Sequence, residues 1–148
     1  MVLKDILDPR CVKLNAAAAN KWLLLDQLLG LIASTGSIKD YSRAYADLYK
    51  REEQQSTGLD GGIAMPHVRT DAVTKTVMAA AVLPKGIDFN SGDGKPVHIV
   101  FLTLSPQGSP GEHIQILSEL ACLCSDADTV RSIMRAGTGK EVWQLIAC

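Results

Sequence analysis

The clearest chemical potential in this sequence lies in one histidine and the glycine-rich loop that precedes it. Gly58, Gly61 and Gly62 fall within five positions, and glycine allows a backbone to approach a ligand closely. Successive N–H groups in such a loop can form a concave site for an anion. Pro66 restricts the backbone just before His67, and a neutral imidazole is a competent nucleophile near pH 7. The pattern predicts a phosphoryl group carried on His67; a turn without chemistry is the alternative.

The segments around this histidine follow a known pattern. Arg51-Glu52-Glu53 is followed by Ser56–Leu59 and then by Gly62–His67, and the similarity continues through Asp93–Leu102 and Glu112–Leu117. In these segments the chain resembles the EIIA domains of the fructose/mannitol class (EIIA type 2) of the bacterial phosphoenolpyruvate:sugar phosphotransferase system (PTS). That class includes the nitrogen-regulatory EIIA proteins. The resemblance extends through nearly the whole chain.

This resemblance implies a phosphoryl carrier. His67 would accept a phosphoryl group from phospho-HPr on its Nε2 atom, as a tele-phosphohistidine, and pass it to a cysteine of an EIIB domain during fructose-like or mannitol-like uptake. Arg51 and His113 match the residues that stabilise the phosphoryl group. The loop backbone is expected to help hold it, at Thr57, Gly58, Gly61 and Gly62. The resemblance implies no cofactor and no metal.

A second function would use the same histidine. A nitrogen-regulatory type of EIIA controls partner proteins according to its phosphorylation state, so its partners would include regulatory targets. A third hypothesis is a domain that keeps the fold without the chemistry, but the presence of Arg51, His67 and His113 argues against it.

Two helices have to bring the supporting residues to His67. Asp40 is a candidate N-cap for a helix in which Arg51 lies one turn beyond Leu48. An arginine near a helix C-terminus is often simply a solvated side chain favoured by the helix dipole. A guanidinium can also bind two phosphate oxygens at once, and the resemblance favours that role for Arg51.

His113 lies in the first turn of another predicted helix. Ser109–Glu112 forms a capping box with proline at the first helical position. His113 shares one face with Ile116 and Leu117, so its ring should face the protein body. A histidine in such a position is usually a core-edge residue, but a neutral imidazole there could also donate a hydrogen bond to a phosphoryl oxygen.

The remaining pattern predicts an α/β fold: one domain over residues 1–148, with a mixed β-sheet of about five strands and helices on both faces, as the resemblance also implies. Asn20 should cap a helix whose apolar stripe ends near Gly36, and Asp126 should cap a later one. The predicted strands are Cys11–Leu14, Ile63–Met65, Val77–Leu83 and Val97–Leu104. A turn is expected at Pro84–Gly86.

Composition excludes several classes of function. The 148 residues are 47% hydrophobic and carry a net charge of −1, so no excess of positive charge favours nucleic acid or an anionic membrane. No apolar run approaches the ~20 residues of a membrane-spanning helix, and the N-terminus does not resemble a signal peptide. We therefore expect a cytoplasmic protein without membrane insertion.

The other histidine and the cysteines predict no additional chemistry. His98 lies in the middle of a predicted strand and is interpreted as a half-buried ring bonded to backbone. The three histidines lack the i, i+4 spacing of a helical metal site. The four cysteines are interpreted as reduced thiols that serve as small core residues.

Overall fold

Helices and strands account for most of residues 3–108 and 110–147, which are the residues that the computed structural model describes. The helices in this part of the chain are α1 (Leu3–Ile6), α2 (Lys21–Ser34), α3 (Tyr41–Gln54), α4 (Pro110–Cys124), α5 (Ala127–Arg135) and α6 (Gly139–Ala147). The strands are β1 (Leu7–Lys13), β2 (Gly58–Leu59), β3 (Ile63–Ala64), β4 (His67–Arg69), β5 (Val77–Ile87) and β6 (Val97–Ser105).

The strands form one mixed sheet with β6 near its centre. Its order is β1-β5-β6-β3-β2, and β4 also pairs with β6. The β5–β6 pairing is antiparallel, whereas β3 and β4 both run parallel to β6. The mixed α/β prediction is confirmed, although the described sheet has six strands rather than about five because it includes the short β2 and β4.

Both faces of this sheet are buried beneath helices. Val100 and Leu102 pack with residues of α2 and α3, whereas Ile99 and Phe101 face the opposite layer, which includes residues of α1, α4, α5 and α6. This alternation follows from the period-2 geometry of a strand, and it explains why β6 reads as a continuous apolar run. The predicted layers of helices on both faces are confirmed.

The predicted helix caps define where the helices begin. The side chain of Asn20 accepts a hydrogen bond from the Leu23 N–H, Asp40 caps α3 through Arg43, and Asp126 caps α5. Ser109, the predicted cap of α4, lies outside the described residues, and α4 begins at Pro110.

The chain does not turn where Pro84–Gly86 predicted a turn. β5 continues through these residues to Ile87, so that prediction was wrong. The pairing with β6 shifts register between Val82 and Ile87, and Gly86 has a φ of +74°. A glycine with positive φ allows a bulge inside the strand. Proline and glycine occur at bulges as well as at turns, so the residue types at Pro84–Gly86 resembled those of a turn.

The cysteines lie in different environments. Cys11 is buried, Cys124 is half-buried and Cys122 is exposed, so the prediction of core thiols is wrong for Cys122. Burial raises the pKa of the Cys11 and Cys124 thiols to about 11. Cys148 lies outside the described residues. None of the described helices is both long enough and apolar enough to cross a bilayer.

We expect Gly139→Ala to destabilise the fold. A Cβ at Gly139, the first residue of α6, would lie 2.5 Å from the Pro9 carbonyl oxygen, so the backbone of β1 or α6 would have to move. The expected loss in free energy of unfolding is about 1–3 kcal/mol.

Gly30→Ala is the matched control for this substitution. A Cβ at Gly30 in α2 meets no heavy atom within 4 Å, and alanine is favoured over glycine inside a helix by about 0.5–1 kcal/mol. Urea denaturation of both variants measures the difference. Equal stabilities for the two would contradict the close packing of α6 on β1.

Candidate active site

His67 is held by a hydrogen bond from its ring to the nearby backbone. Its Nδ1 atom lies 2.9 Å from the carbonyl oxygen of Met65. A carbonyl can only accept a hydrogen bond, so the proton of the neutral ring lies on Nδ1. The Nε2 atom therefore keeps its lone pair, which is the requirement for a nucleophile.

Strand β4 fixes the position of this ring in the sheet. His67 is the first residue of β4 and is paired in parallel register with Thr103 on β6. The Thr103 N–H donates to the carbonyl oxygen of Pro66 at 3.0 Å. The rigid segment predicted around Pro66 is thus anchored to the central strand immediately before the histidine.

Arg51 reaches the free nitrogen of His67 from the last turn of α3. Its Nη2 atom lies 3.5 Å from His67 Nε2, and its Nη1 atom donates to the carbonyl oxygen of Gln55 at 3.1 Å. The second contact orients the guanidinium plane. A phosphoryl group on Nε2 would lie within reach of this cation.

His113 is the second ring of the site. Its centroid lies 4.9 Å from that of His67 with an interplanar angle of 61°, and its side chain is buried. Its Nδ1 atom lies 3.4 Å from the Ser105 hydroxyl. A hydroxyl can donate or accept, so this contact permits either tautomer of His113, including the one with a proton on Nε2.

The site favours neutral imidazoles. Burial lowers the pKa of His67 below its ordinary value, and the nearby cations Arg51 and Arg69 lower it further, against the raising effects of the Met65 hydrogen bond and Glu52. Burial likewise lowers the pKa of His113, helped by His67 and the two arginines. Burial thus disfavours positive charge on the free rings, while the positive charge of the two arginines would favour an added anion.

The glycine loop is already engaged with protein acceptors. The Thr57 N–H donates to Glu52 at 2.9 Å, the Gly58 N–H to the Ser56 hydroxyl at 3.1 Å, and the Gly61 N–H to Asp93 at 3.1 Å. A phosphoryl group would compete with these acceptors. Phosphate binding by the backbone of Thr57, Gly58, Gly61 and Gly62 therefore stays a prediction.

Gly62 connects this loop to the sheet. Its carbonyl oxygen accepts from the N–H groups of His98 and Ile99, at 2.7 and 3.2 Å. The His98 ring is half-buried, and its Nδ1 lies 2.9 Å from the Leu83 carbonyl oxygen. The structural interpretation of His98 as a ring bonded to backbone is confirmed.

Sequence reasoning brought Arg51, His67 and His113 to one site but missed some of their supporting residues. Ser105 contacts His113, and Glu52 binds the loop at Thr57. Glu52 was visible in the Arg51-Glu52-Glu53 segment, directly after the arginine. No comparable local signal marked Ser105, because its role depends on the packing of α4 against β6.

Comparison with known proteins supports a family assignment. The family model described as "Phosphoenolpyruvate-dependent sugar phosphotransferase system, EIIA 2" matches residues 5–148. A fructose-specific EIIA component of Haloferax volcanii is 33% identical over 136 residues, which cover 92% of this chain and 88% of that protein. The fructose-specific EIIABC component of Bacillus subtilis is 27% identical over 99% of this chain, which spans 23% of that longer protein.

A solved structure agrees with the fold. The crystal structure of nitrogen regulatory protein IIA-Ntr from Neisseria meningitidis superposes with a TM-score of 0.91 and 29% sequence identity. The match covers 99% of both chains. The similarity thus includes both sugar-specific and nitrogen-regulatory relatives.

The His67 ring should titrate below the ordinary histidine range. Burial is the main cause, and the Arg51 cation adds to it, so Arg51→Met should raise the pKa of His67. Arg43→Met is the matched control, because Arg43 lies on the same helix but pairs with Asp47. Histidine ring resonances followed by NMR against pH measure both effects. An unchanged titration in Arg51→Met would show that the guanidinium does not act on this ring.

The same shift predicts a pH dependence of stability. Because the folded pKa of His67 is lowered, the unfolded chain binds more protons as pH falls below about 6.5. The stabilisation is complete above that value and decreases as pH falls towards the lowered folded pKa. His67→Gln should flatten this part of the stability curve in denaturation measured from pH 8 to pH 5, whereas an equal slope would contradict it.

Proposed function

This chain belongs to the EIIA 2 family of the phosphoenolpyruvate-dependent sugar phosphotransferase system, and on that basis we propose that it carries a phosphoryl group on Nε2 of His67. The observation that carries this proposal is the Nδ1 hydrogen bond to Met65. That bond leaves Nε2 as the unprotonated nitrogen, facing Arg51. The donor is phospho-HPr and the acceptor is a cysteine of an EIIB domain, both in the cytoplasm.

The geometry supports a transfer in which no proton has to leave the His67 ring. The Nε2 lone pair forms a bond to phosphorus while the bond from phosphorus to the nitrogen of the donor histidine breaks. The His67 ring keeps its Nδ1 proton and becomes cationic, and the Met65 carbonyl accepts from that N–H. The cysteine thiolate of EIIB then attacks phosphorus, and the electron pair of the N–P bond returns to Nε2.

Arg51 and His113 stabilise the charge that arrives on the ring. Phosphoryl transfer depends mainly on positioning and charge neutralisation, and the guanidinium supplies the positive charge. His113, with a proton on Nε2, donates a hydrogen bond to a phosphoryl oxygen. In that tautomer His113 Nδ1 is free to accept a hydrogen bond from the Ser105 hydroxyl, which lies 3.4 Å away.

The surface beside His67 suits brief contact with protein partners. Leu59 in the glycine loop is 43% exposed, and Ile114 next to His113 is 65% exposed. Ile114 directly follows His113, Leu59 lies in the loop that leads to His67, and the chain has a net charge of only −1. The partner contact is therefore apolar and small, which favours the rapid release that successive transfers require.

The sugar-specific relatives support a role in sugar uptake. The relative named as a fructose-specific EIIA component supports sugar uptake of the fructose or mannitol type. The nitrogen-regulatory function is a second candidate, supported by the 0.91 TM-score to a nitrogen regulatory protein over 99% of both chains. Transfer from phosphorylated protein to purified fructose- and mannitol-specific EIIB domains separates the two, because failure with every EIIB favours regulation.

We expect acid-labile, base-stable labelling of His67. Incubation with radiolabelled phosphoenolpyruvate, Enzyme I and HPr should label the wild-type protein, and His67→Ala should remove the label entirely because the acceptor nitrogen is gone. His98→Asn is the control, since His98 lies outside the cluster of Arg51, His67 and His113. Full labelling of His67→Ala would refute the proposed acceptor.

His113→Ala should still accept phosphate but transfer it slowly. The lost hydrogen bond to the phosphoryl group is expected to slow transfer to EIIB by about tenfold or more. Arg51→Lys should be only partly active, because lysine lacks the planar fork of donors. Single-turnover transfer measured by rapid quench provides the rates, and wild-type rates in both variants would eliminate these roles.

A further inference from the structure

A buried ion pair lies beneath the glycine loop. Lys21 at the start of α2 and Glu52 near the end of α3 are 6% and 2% exposed, with Nζ and Oε2 3.4 Å apart. The Lys21 ammonium also lies 5.0 Å from the Trp22 ring centroid and 5.5 Å from that of Phe89. Burying two charges is costly and often adds no net stability, so this pair calls for another explanation.

Hydrogen bonds connect this ion pair to the nucleophile. The Glu52 carboxylate accepts from both the N–H and the hydroxyl of Thr57. The Thr57 carbonyl oxygen accepts from the Met65 N–H at 3.2 Å, and the Met65 carbonyl oxygen accepts from His67 Nδ1 at 2.9 Å. Three successive contacts thus lead from a buried carboxylate to the proton that determines the His67 tautomer.

We propose that Glu52 and Lys21 are positioning residues for His67. Glu52 holds the Thr57–Met65 segment in place, and Lys21 offsets the negative charge that Glu52 places beneath the site. The effect of the pair on phosphoryl transfer rests on the proposed function. Its effect on the His67 ring concerns the unphosphorylated protein and does not depend on that function.

The charge balance explains why the loop is held by a pair rather than by a carboxylate alone. A phosphoryl group brings about −1.5 to −2 charges, and an unpaired carboxylate below the loop would repel it. The Arg51 guanidinium and the His113 ring contact His67, and the charges of Glu52 and Arg69 also act on its ring. With Lys21 paired to Glu52, the positive charge of the arginines dominates this environment.

The test is a set of three variants: Lys21→Met, Glu52→Gln and the double variant. In Lys21→Met the Glu52 carboxylate loses its counter-charge but keeps its two Thr57 donors, so its negative charge should raise the pKa of His67. In Glu52→Gln the uncompensated ammonium should lower it. The double variant has neither charge, and its glutamine oxygen can still accept from the Thr57 N–H, so the His67 titration should lie between those of the two single variants.

NMR titration of the His67 ring nitrogens measures the pKa of His67 in each variant and requires no phosphorylation. A purely structural role would reduce stability in the single variants without shifting the His67 titration in opposite directions. Shifts in the same direction, or no shifts, in folded single variants would overturn the charge-balance proposal. If one single variant does not fold, the double variant is compared with the other one: a His67 titration that does not move back from that of the folded single variant would overturn the proposal.

Phosphorylation by HPr provides the second readout. Lys21→Met should accept the phosphoryl group about tenfold more slowly, and the double variant should recover most of the rate. Val142→Ala, a change in the buried core of α6, controls for lost stability and should keep the wild-type rate. A Lys21→Met rate equal to that of Val142→Ala would contradict the proposal.

Failure of the wild-type protein to accept phosphate would instead refute the proposed function, while the titration would still test the role of the pair.

Discussion

The hydrogen bond from His67 Nδ1 to the Met65 carbonyl is the interaction on which the proposed phosphoryl transfer depends. An imidazole has two nitrogens, and only the one without a proton can attack phosphorus. The Met65 carbonyl can accept but never donate, so it selects the tautomer with a free Nε2. Thr57 and Glu52 hold the segment that carries this carbonyl, and Arg51 brings positive charge to the free nitrogen.

The two histidines differ in the partners of their Nδ1 atoms. His67 contacts a carbonyl, which restricts it to one tautomer, whereas His113 contacts the Ser105 hydroxyl, which permits both. This difference suits a nucleophile beside a hydrogen-bond donor. Burial keeps both rings neutral by lowering their pKa values, because an imidazolium would be poorly solvated in this part of the protein.

The sheet explains how distant segments converge on one ring. Strands β3 and β4 both pair with β6, and the chain between them includes Met65 and Pro66. The end of α3 brings Arg51 to the Nε2 side, while the first turn of α4 brings His113. One residue beyond Arg51, Glu52 points into the protein and holds the loop at Thr57. Adjacent residues on one helical turn thus contact the His67 ring and the loop that precedes it.

The sequence by itself determined the local features of this protein. Caps at Asn20 and Asp40, the apolar run of β6 and the segment before His67 depend on neighbours within a few residues, so their types and spacing were sufficient. The family resemblance then supplied Arg51 and His113. Strands β2 and β4 were missed because two or three residues are too short to show a period, and the β5 bulge imitated a turn.

Only the tertiary structure decided which atoms meet. Lys21 and Glu52 are separated by 31 positions in the sequence, and each would ordinarily be read as a solvated surface charge. Their burial, the contact between Ser105 and His113, and the occupied N–H groups of the glycine loop all result from helices packing on a shared sheet. Contacts of that kind depend on three-dimensional proximity, which no local pattern of residue types encodes.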